Sequence, residues 1–172
     1  MPEIEKVVLL DDHPEILEAM AAVCKLRLKA KQANIYEDHK KALPDAQDAN
    51  IVITDLDMPE MNGIEFLEEL AKLTTNGHQR ITFLFTAGSV LLNNPDNRNR
   101  IIELIKQEHL SGVFIKPGEL EDMVEQIKLA LEQEKSPEMQ EKLSDFLINE
   151  LKQLYFSESE IELLKNEKIL EV

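Results

Sequence analysis

The sequence predicts an α/β domain, a five-stranded parallel sheet covered on both faces by helices, with a helical extension at its C-terminus. Two observations predict the domain. Short, continuous apolar runs at Val7 to Leu10, Ile51 to Ile53 and Val113 to Ile115, with a run at Ile81 to Phe85 broken only by Thr82, have the pattern of strands buried on both faces, not the alternation of half-exposed ones. Between them lie segments whose apolar residues recur at three-to-four spacing, so strand and helix alternate five times over.

In order, Val7 to Leu10 is the first strand, ended by Asp11 and Asp12. His13-Pro14 opens a helix whose core face is Ile16, Leu17, Met20, Val23, Cys24 and Leu28. Ala33 to Tyr36 is a weak second strand, and Glu37 to Ala46 a short helix around Ala42 and Leu43. The third strand, Ile51 to Thr54, delivers Asp55 to its C-terminal end; Pro59 stops it and Gly63 permits the turn into a helix carrying Ile64, Phe66, Leu67, Leu70 and Leu73. Asn76-Gly77 reads as that helix's left-handed stop. Ile81 to Phe85 leads to Thr86, residues 88 to 100 read as a long Asn-rich loop, and a fourth helix is expected from about Ile101 to His109. The fifth strand ends in Lys116-Pro117-Gly118, and Leu120, Met123, Val124, Ile127, Ala130 and Leu131 mark the last helix of the domain.

Ser136-Pro137 breaks the pattern, which divides the chain into a domain at 1–135 and an extension at 136–172. Leu143, Phe146, Leu147, Leu151 and Leu154 form one apolar stripe, and Ser157 with Glu160 fits a capping box for a further short helix. Such a stripe has to be covered by the main domain, a second copy or another protein.

With 34 acidic against 19 basic residues the formal charge is -15, which repels nucleic-acid backbones and anionic membrane surfaces. Neither partner is expected. Cys24 is the single cysteine, so no internal disulfide is possible, and its place on an apolar helix face makes it a small buried hydrophobe. The first residues lack the layout of a signal peptide and no apolar run approaches about 18 residues, so a cytoplasmic protein is expected.

Four of the five strands end in a polar functional residue: Asp11 and Asp12, then Asp55, Thr86 and Lys116. In open parallel sheets, reactive groups collect outside that edge. Two carboxylates about 4 Å apart repel by roughly 4 kcal/mol at an effective dielectric near 20, so the cluster invites a cation, and oxygen ligands with room for water suit Mg²⁺. A carboxylate held by a divalent cation beside a lysine and a hydroxyl is a phosphoryl acceptor: Asp55 attacks, Mg²⁺ and Lys116 neutralise the phosphoryl oxygens, and Thr86 hydrogen-bonds the new phosphate.

These motifs, Leu-Leu-Asp-Asp-His, Ile-Thr-Asp-Leu-Asp-Met-Pro-Glu-Met-Asn-Gly, Phe-Thr-Ala and Ile-Lys-Pro-Gly, make residues 5 to 134 resemble the receiver domain of two-component response regulators. The resemblance implies a flavodoxin-like sheet of order 2-1-3-4-5. It implies that Asp55 takes a phosphoryl group from a sensor histidine kinase or a histidine phosphotransfer protein. Asp11 and Asp12 would hold Mg²⁺ with Asp55 and the Asp57 backbone carbonyl, Lys116 would contact the phosphoryl group, and Thr86 would be the switch hydroxyl. It further implies a signalling module and not an enzyme, whose output is a downstream protein partner or a homodimer made through the fourth-helix face or the C-terminal helices.

The sequence departs from that family in three places. Val113 stands where an aromatic residue is usual, with Phe114 on the opposite strand face; the stretch from Thr86 to Lys116 is longer than usual; and Asp57 puts an acid two residues after the acceptor. A segment at Phe156 to Leu164 faintly resembles the first helix of a helix-turn-helix, but no recognition helix follows. Two other readings stay open. One is a haloacid-dehalogenase-like phosphatase, whose Asp-x-Asp motif Asp55-Leu56-Asp57 mimics, although that family carries its nucleophile on the first strand. The other is a constitutive interaction module that keeps the fold without phosphorylation.

Overall fold

The computed structural model describes residues 3–73, 80–87, 94–116 and 120–133. Five strands, β1 (Lys6–Leu10), β2 (Gln32–Tyr36), β3 (Ile51–Asp55), β4 (Ile81–Ala87) and β5 (Gly112–Lys116), form one sheet of order β2-β1-β3-β4-β5. Every pairing is parallel. The helices are α1 (Pro14–Arg27), α2 (His39–Ala46), α3 (Gly63–Lys72), α4 (Pro95–Lys106) and α5 (Leu120–Gln133). This is the flavodoxin-like architecture expected from the sequence.

Alternate strand residues feed two cores. Val8, Leu10, Val52 and Leu84 point to the face covered by α2, α3 and α4, whose Ala42, Phe66, Leu67, Ile101 and Ile105 complete it. Val7, Leu9, Ile51, Ile53, Phe83, Phe85 and Phe114 point to the other, where Leu17, Met20 and Cys24 of α1 meet Met123, Val124 and Ile127 of α5. Burial pushes the Cys24 thiol up to about 12, so it serves as packing and not as a nucleophile. β2 is an edge strand with no fully buried residue, which is why its sequence signal is weak.

Helix entries are set by local polar chemistry. Asn62 accepts from the Glu65 backbone at 3.0 Å while the Glu65 carboxylate accepts from the Asn62 backbone at 3.1 Å, a capping box that starts α3. Asp38 accepts from the Lys40 backbone at 2.8 Å to start α2. α4 differs from expectation. It begins at Pro95, not Ile101, because Asn94 accepts from the Asn97 backbone and Pro95 supplies a pre-set first turn; it ends at Lys106, short of His109. The C-terminal part of the Asn-rich stretch is therefore the helix's own start. The Asn76-Gly77 stop, the Pro117-Gly118 turn, the boundary at 135 and the helices expected over 136–172 all lie outside the described residues.

Polar clamps tie the helices down. Arg80 donates to the carbonyls of Ala46 (3.1 Å), Gln47 (3.2 Å) and Leu70 (3.4 Å), placing a cation at the C-terminal ends of α2 and α3, where unpaired carbonyls collect. Lys6 on β1 reaches Asp45 of α2 at 2.7 Å and Asp48 at 2.6 Å, while Asn34 and Tyr36 of β2 donate to the other Asp45 oxygen. Burial alone would raise the Asp45 carboxyl, but these three donors together hold it below the usual range.

Candidate functional site

The carboxyl edge of the sheet brings the predicted residues together through register. Leu10 pairs with Thr54, so Asp11 follows beside Asp55; Asp55 pairs with Phe85, so Thr86 is one step beyond it; Ala87 pairs with Lys116. Neighbouring strands are about 4.8 Å apart, which makes β1, β3 and β4 deliver Asp11, Asp55 and Thr86 to one small area. All three are buried, at 1%, 4% and 0% exposure, unusual for such polar groups. Lys116 closes β5 by its backbone, and its side chain lies outside the described structure.

The loop after Asp55 is held by close packing. Leu56 donates its backbone N–H to Phe85 at 3.1 Å, and Gly63 donates its own to Leu56 at 3.0 Å. A Cβ on Gly63 would run into the Asp55 carbonyl oxygen and lie 3.0 Å from its carbonyl carbon. Glycine is thus required here by the approach of α3 to the Asp55 peptide, not by a left-handed turn. Thr54 donates to the Asp55 carbonyl at 3.1 Å, and Thr86 donates to the Ala87 carbonyl at 3.2 Å. Asp57 points into solvent.

At β1 the acids meet His13, for which the sequence favours a helix entry over a metal ligand. His13 sits at the N-cap of α1, and its backbone N–H donates to Asp11 Oδ1 at 2.9 Å. Its Nδ1 lies 2.9 Å from the same oxygen and 2.8 Å from Asp12 Oδ1. Both neighbours are carboxylate oxygens, so Nδ1 carries the hydrogen. A single hydrogen aligns with one of them; the bond goes to Asp11, and the buried Asp12 Oδ1 has no hydrogen bond. Two clustered carboxylates, one with an unsatisfied buried oxygen, are the hard donor set that a divalent cation takes. These residues fit Mg²⁺.

The aromatic ring of β5 is fixed. Phe114 stacks on Phe83 with centroids 4.9 Å apart, in the core shared with α1 and α5, while Val113 packs against the opposite core. Gly112 makes this possible, since a Cβ there would come within 2.7 Å of the Phe83 ring. On the α3 and α4 side, a groove of about 350 Å³ is lined by Glu68, Lys72, Arg100, Glu103, Leu104 and His109. Arg100 grips Glu68 across it with two bonds of 2.9 and 2.7 Å, which holds the Glu68 carboxyl below its usual range. No helix among the described residues is long and apolar enough to cross a membrane.

Comparison with known proteins gives a consistent picture. A receiver domain protein from Clostridium thermocellum superposes with a TM-score of 0.59 at 21% identity, covering 77% of this chain and 98% of its own. A chemotaxis response regulator of Vibrio cholerae gives a TM-score of 0.53 at 21% identity, covering 74% and 98%. A structure described as adenylate cyclase from Rhodopirellula baltica gives 0.57 at 15% identity, covering 90% and 99%. At these identities each likeness shows the fold alone. No curated protein matches in sequence. Residues 7–128, well over half of the chain, match the response regulator receiver domain family, and the chain belongs to it.

Proposed function

We propose that this chain is a phosphorylation-dependent switch of the cytoplasm in which Asp55 accepts a phosphoryl group from the phosphohistidine of a sensor histidine kinase or a histidine phosphotransfer protein. One observation carries the reading: three neighbouring strands end in the buried polar groups Asp11, Asp55 and Thr86, beside a cation-type donor set. Strand ends that were merely structural would not bury their acids together.

Asp11 and Asp12 would hold Mg²⁺, together with Asp55 and the Asp57 carbonyl, and the ion would supply charge neutralisation at the phosphoryl oxygens. An Asp55 carboxylate oxygen forms the new P–O bond while the P–N bond to the donor imidazole breaks, its electron pair returning to the ring. Lys116 offsets the negative charge gained. Thr86 turns its hydroxyl from the Ala87 carbonyl to the phosphoryl group, which changes what holds the end of β4. The modification adds about 1.5 to 2 negative charges to the edge and shifts an existing conformational equilibrium.

The output differs from an aromatic swing, since Phe114 is stacked and Val113 is aliphatic. We assign it to the α4 face and to the extension at 136–172, whose stripe from Leu143 to Leu154 binds a protein partner or a second copy. The test is incubation with acetyl phosphate and Mg²⁺, read by intact mass and solution scattering for wild type and Asp55→Asn. Wild type gains one phosphoryl group and changes size or shape; Asp55→Asn does neither. Equal response of the two proteins overturns the reading.

A further inference from the structure

Where a cation would sit on Asp11 and Asp12, the structure places a hydrogen-bond donor. His13 Nδ1 lies 2.9 Å from Asp11 Oδ1 and 2.8 Å from Asp12 Oδ1, and the three donor atoms of the cluster all fall within 4.8 Å of one another. The lone pair of Asp11 Oδ1 that takes the Nδ1 hydrogen is closed to a cation while the ring is there, since the oxygen's other lone pair accepts from the His13 backbone N–H. The His13 side chain is 57% exposed and makes no helix-capping hydrogen bond. It can therefore leave for water without opening the core or fraying α1. Meanwhile the backbone N–H of His13 would keep its bond to Asp11, so the acid stays oriented after the ring departs.

We propose that His13 is a latch on the metal site: its Nδ1–H is bonded to Asp11 Oδ1 and stands against Asp12 Oδ1 before the ion arrives, and Mg²⁺ binds only by displacing it. The latch rests on the reading of the edge as a Mg²⁺ site. It is a positioning residue, acting on phosphorylation through the two acids. Its effect is to set how much Mg²⁺ the receiver needs before it is competent. Direct ligation of the ion by His13 is the opposite arrangement and predicts the opposite sign.

The experiment is calorimetric titration of the full chain with Mg²⁺ alone, comparing wild type, His13→Ala and His13→Asn. The asparagine amide places a nitrogen donor where Nδ1 stands, whereas alanine removes it. Displacing one charge-assisted hydrogen bond that is then replaced by water should tighten binding in His13→Ala by about five- to tenfold. His13→Asn should bind within about twofold of wild type, since the donor is retained. Unchanged affinity in His13→Ala overturns the latch, weaker binding overturns it in favour of ligation, and equal tightening in both variants overturns it because the donor would not be the cause. If none of the three proteins binds Mg²⁺ at millimolar concentrations, the metal-site reading itself falls and the latch with it.

Discussion

Gly63→Ala is the substitution whose consequence is most fully determined by the structure. The added Cβ is driven into the Asp55 carbonyl oxygen and meets the Asp55 carbonyl carbon and Leu84 Cδ2 at 3.0 Å. Two of these three atoms are backbone, and the third sits in a filled core, so neither side can yield cheaply. Overpacking of this kind costs about 1 to 3 kcal/mol. Relief by moving α3 outward breaks the 3.0 Å bond from the Gly63 N–H to Leu56, a further loss of about 1 kcal/mol. The smaller conformational freedom of alanine in the unfolded chain returns up to about 1 kcal/mol. The net expectation is about 2 to 3 kcal/mol, a fall in melting temperature of roughly 5 to 10 °C for a chain of this size. Thermal unfolding followed by far-UV circular dichroism measures it. Gly112→Ala is the comparison: its Cβ would meet the buried, stacked Phe83 ring at 2.7 Å, so it too should destabilise, but it does not touch the Asp55 peptide. Because the Gly63 clash is with the Asp55 peptide, the proposed function predicts that Gly63→Ala also slows phosphoryl acceptance. A Gly63→Ala protein that melts within about 2 °C of wild type would refute the claim that close approach fixes Asp55.

Arg80→Met removes a cation from the carbonyls at the ends of α2 and α3 and should cost about 2 kcal/mol in urea unfolding, with both helices loosening together. Asp45 titrates below its usual 3.8 in the folded chain, so its contribution is present above the unfolded value and lost as pH falls through the folded one. Asp45→Asn should therefore be less stable than wild type near neutral pH, by about 1 kcal/mol, with the gap closing below about pH 4. Lys6 shifts up through its bonds to Asp45 and Asp48; its share is complete below about pH 10 and fades as the pH rises through the raised value. The Cys24 thiol, buried and pushed up to about 12, should react with a thiol reagent at pH 8 only after denaturant is added. Rapid labelling of the native protein would show that α1 opens.

The parts of the fold that were legible are those whose signal is local. Buried parallel strands leave continuous runs such as Ile51 to Ile53, and Asp55 stands out because nothing else in β3 is charged. Register then does what sequence cannot display, setting Asp55 beside Phe85 and Thr86 one step on. The start of α4 was misplaced because its first turns carry Asn97 and Arg98, which are buried polar residues and break the apolar period. The capping signal of Asn94-Pro95 was available in the sequence and outweighed by composition. Long-range polar pairs were invisible for a different reason. Lys6 with Asp45, Arg80 with the α2 carbonyls and Arg100 with Glu68 join residues 39, 33 or 34, and 32 positions apart, and no local pattern marks either partner. The sequence marks His13 as the entry to α1 beside an acidic site, but only the turn of the chain after β1 brings its ring against both acids.

The central claim is that the edge pocket phosphorylates at Asp55 and nowhere else. The direct measurement is to expose the full chain to acetyl phosphate and Mg²⁺, trap the acyl phosphate by borohydride reduction, and locate the reduced residue by peptide mass spectrometry. The account predicts reduction at Asp55 alone, dependent on Mg²⁺ and lost when Asp11 and Asp12 are both replaced by Asn. Reduction at another carboxylate, or the same yield at Asp55 without Mg²⁺, would contradict it.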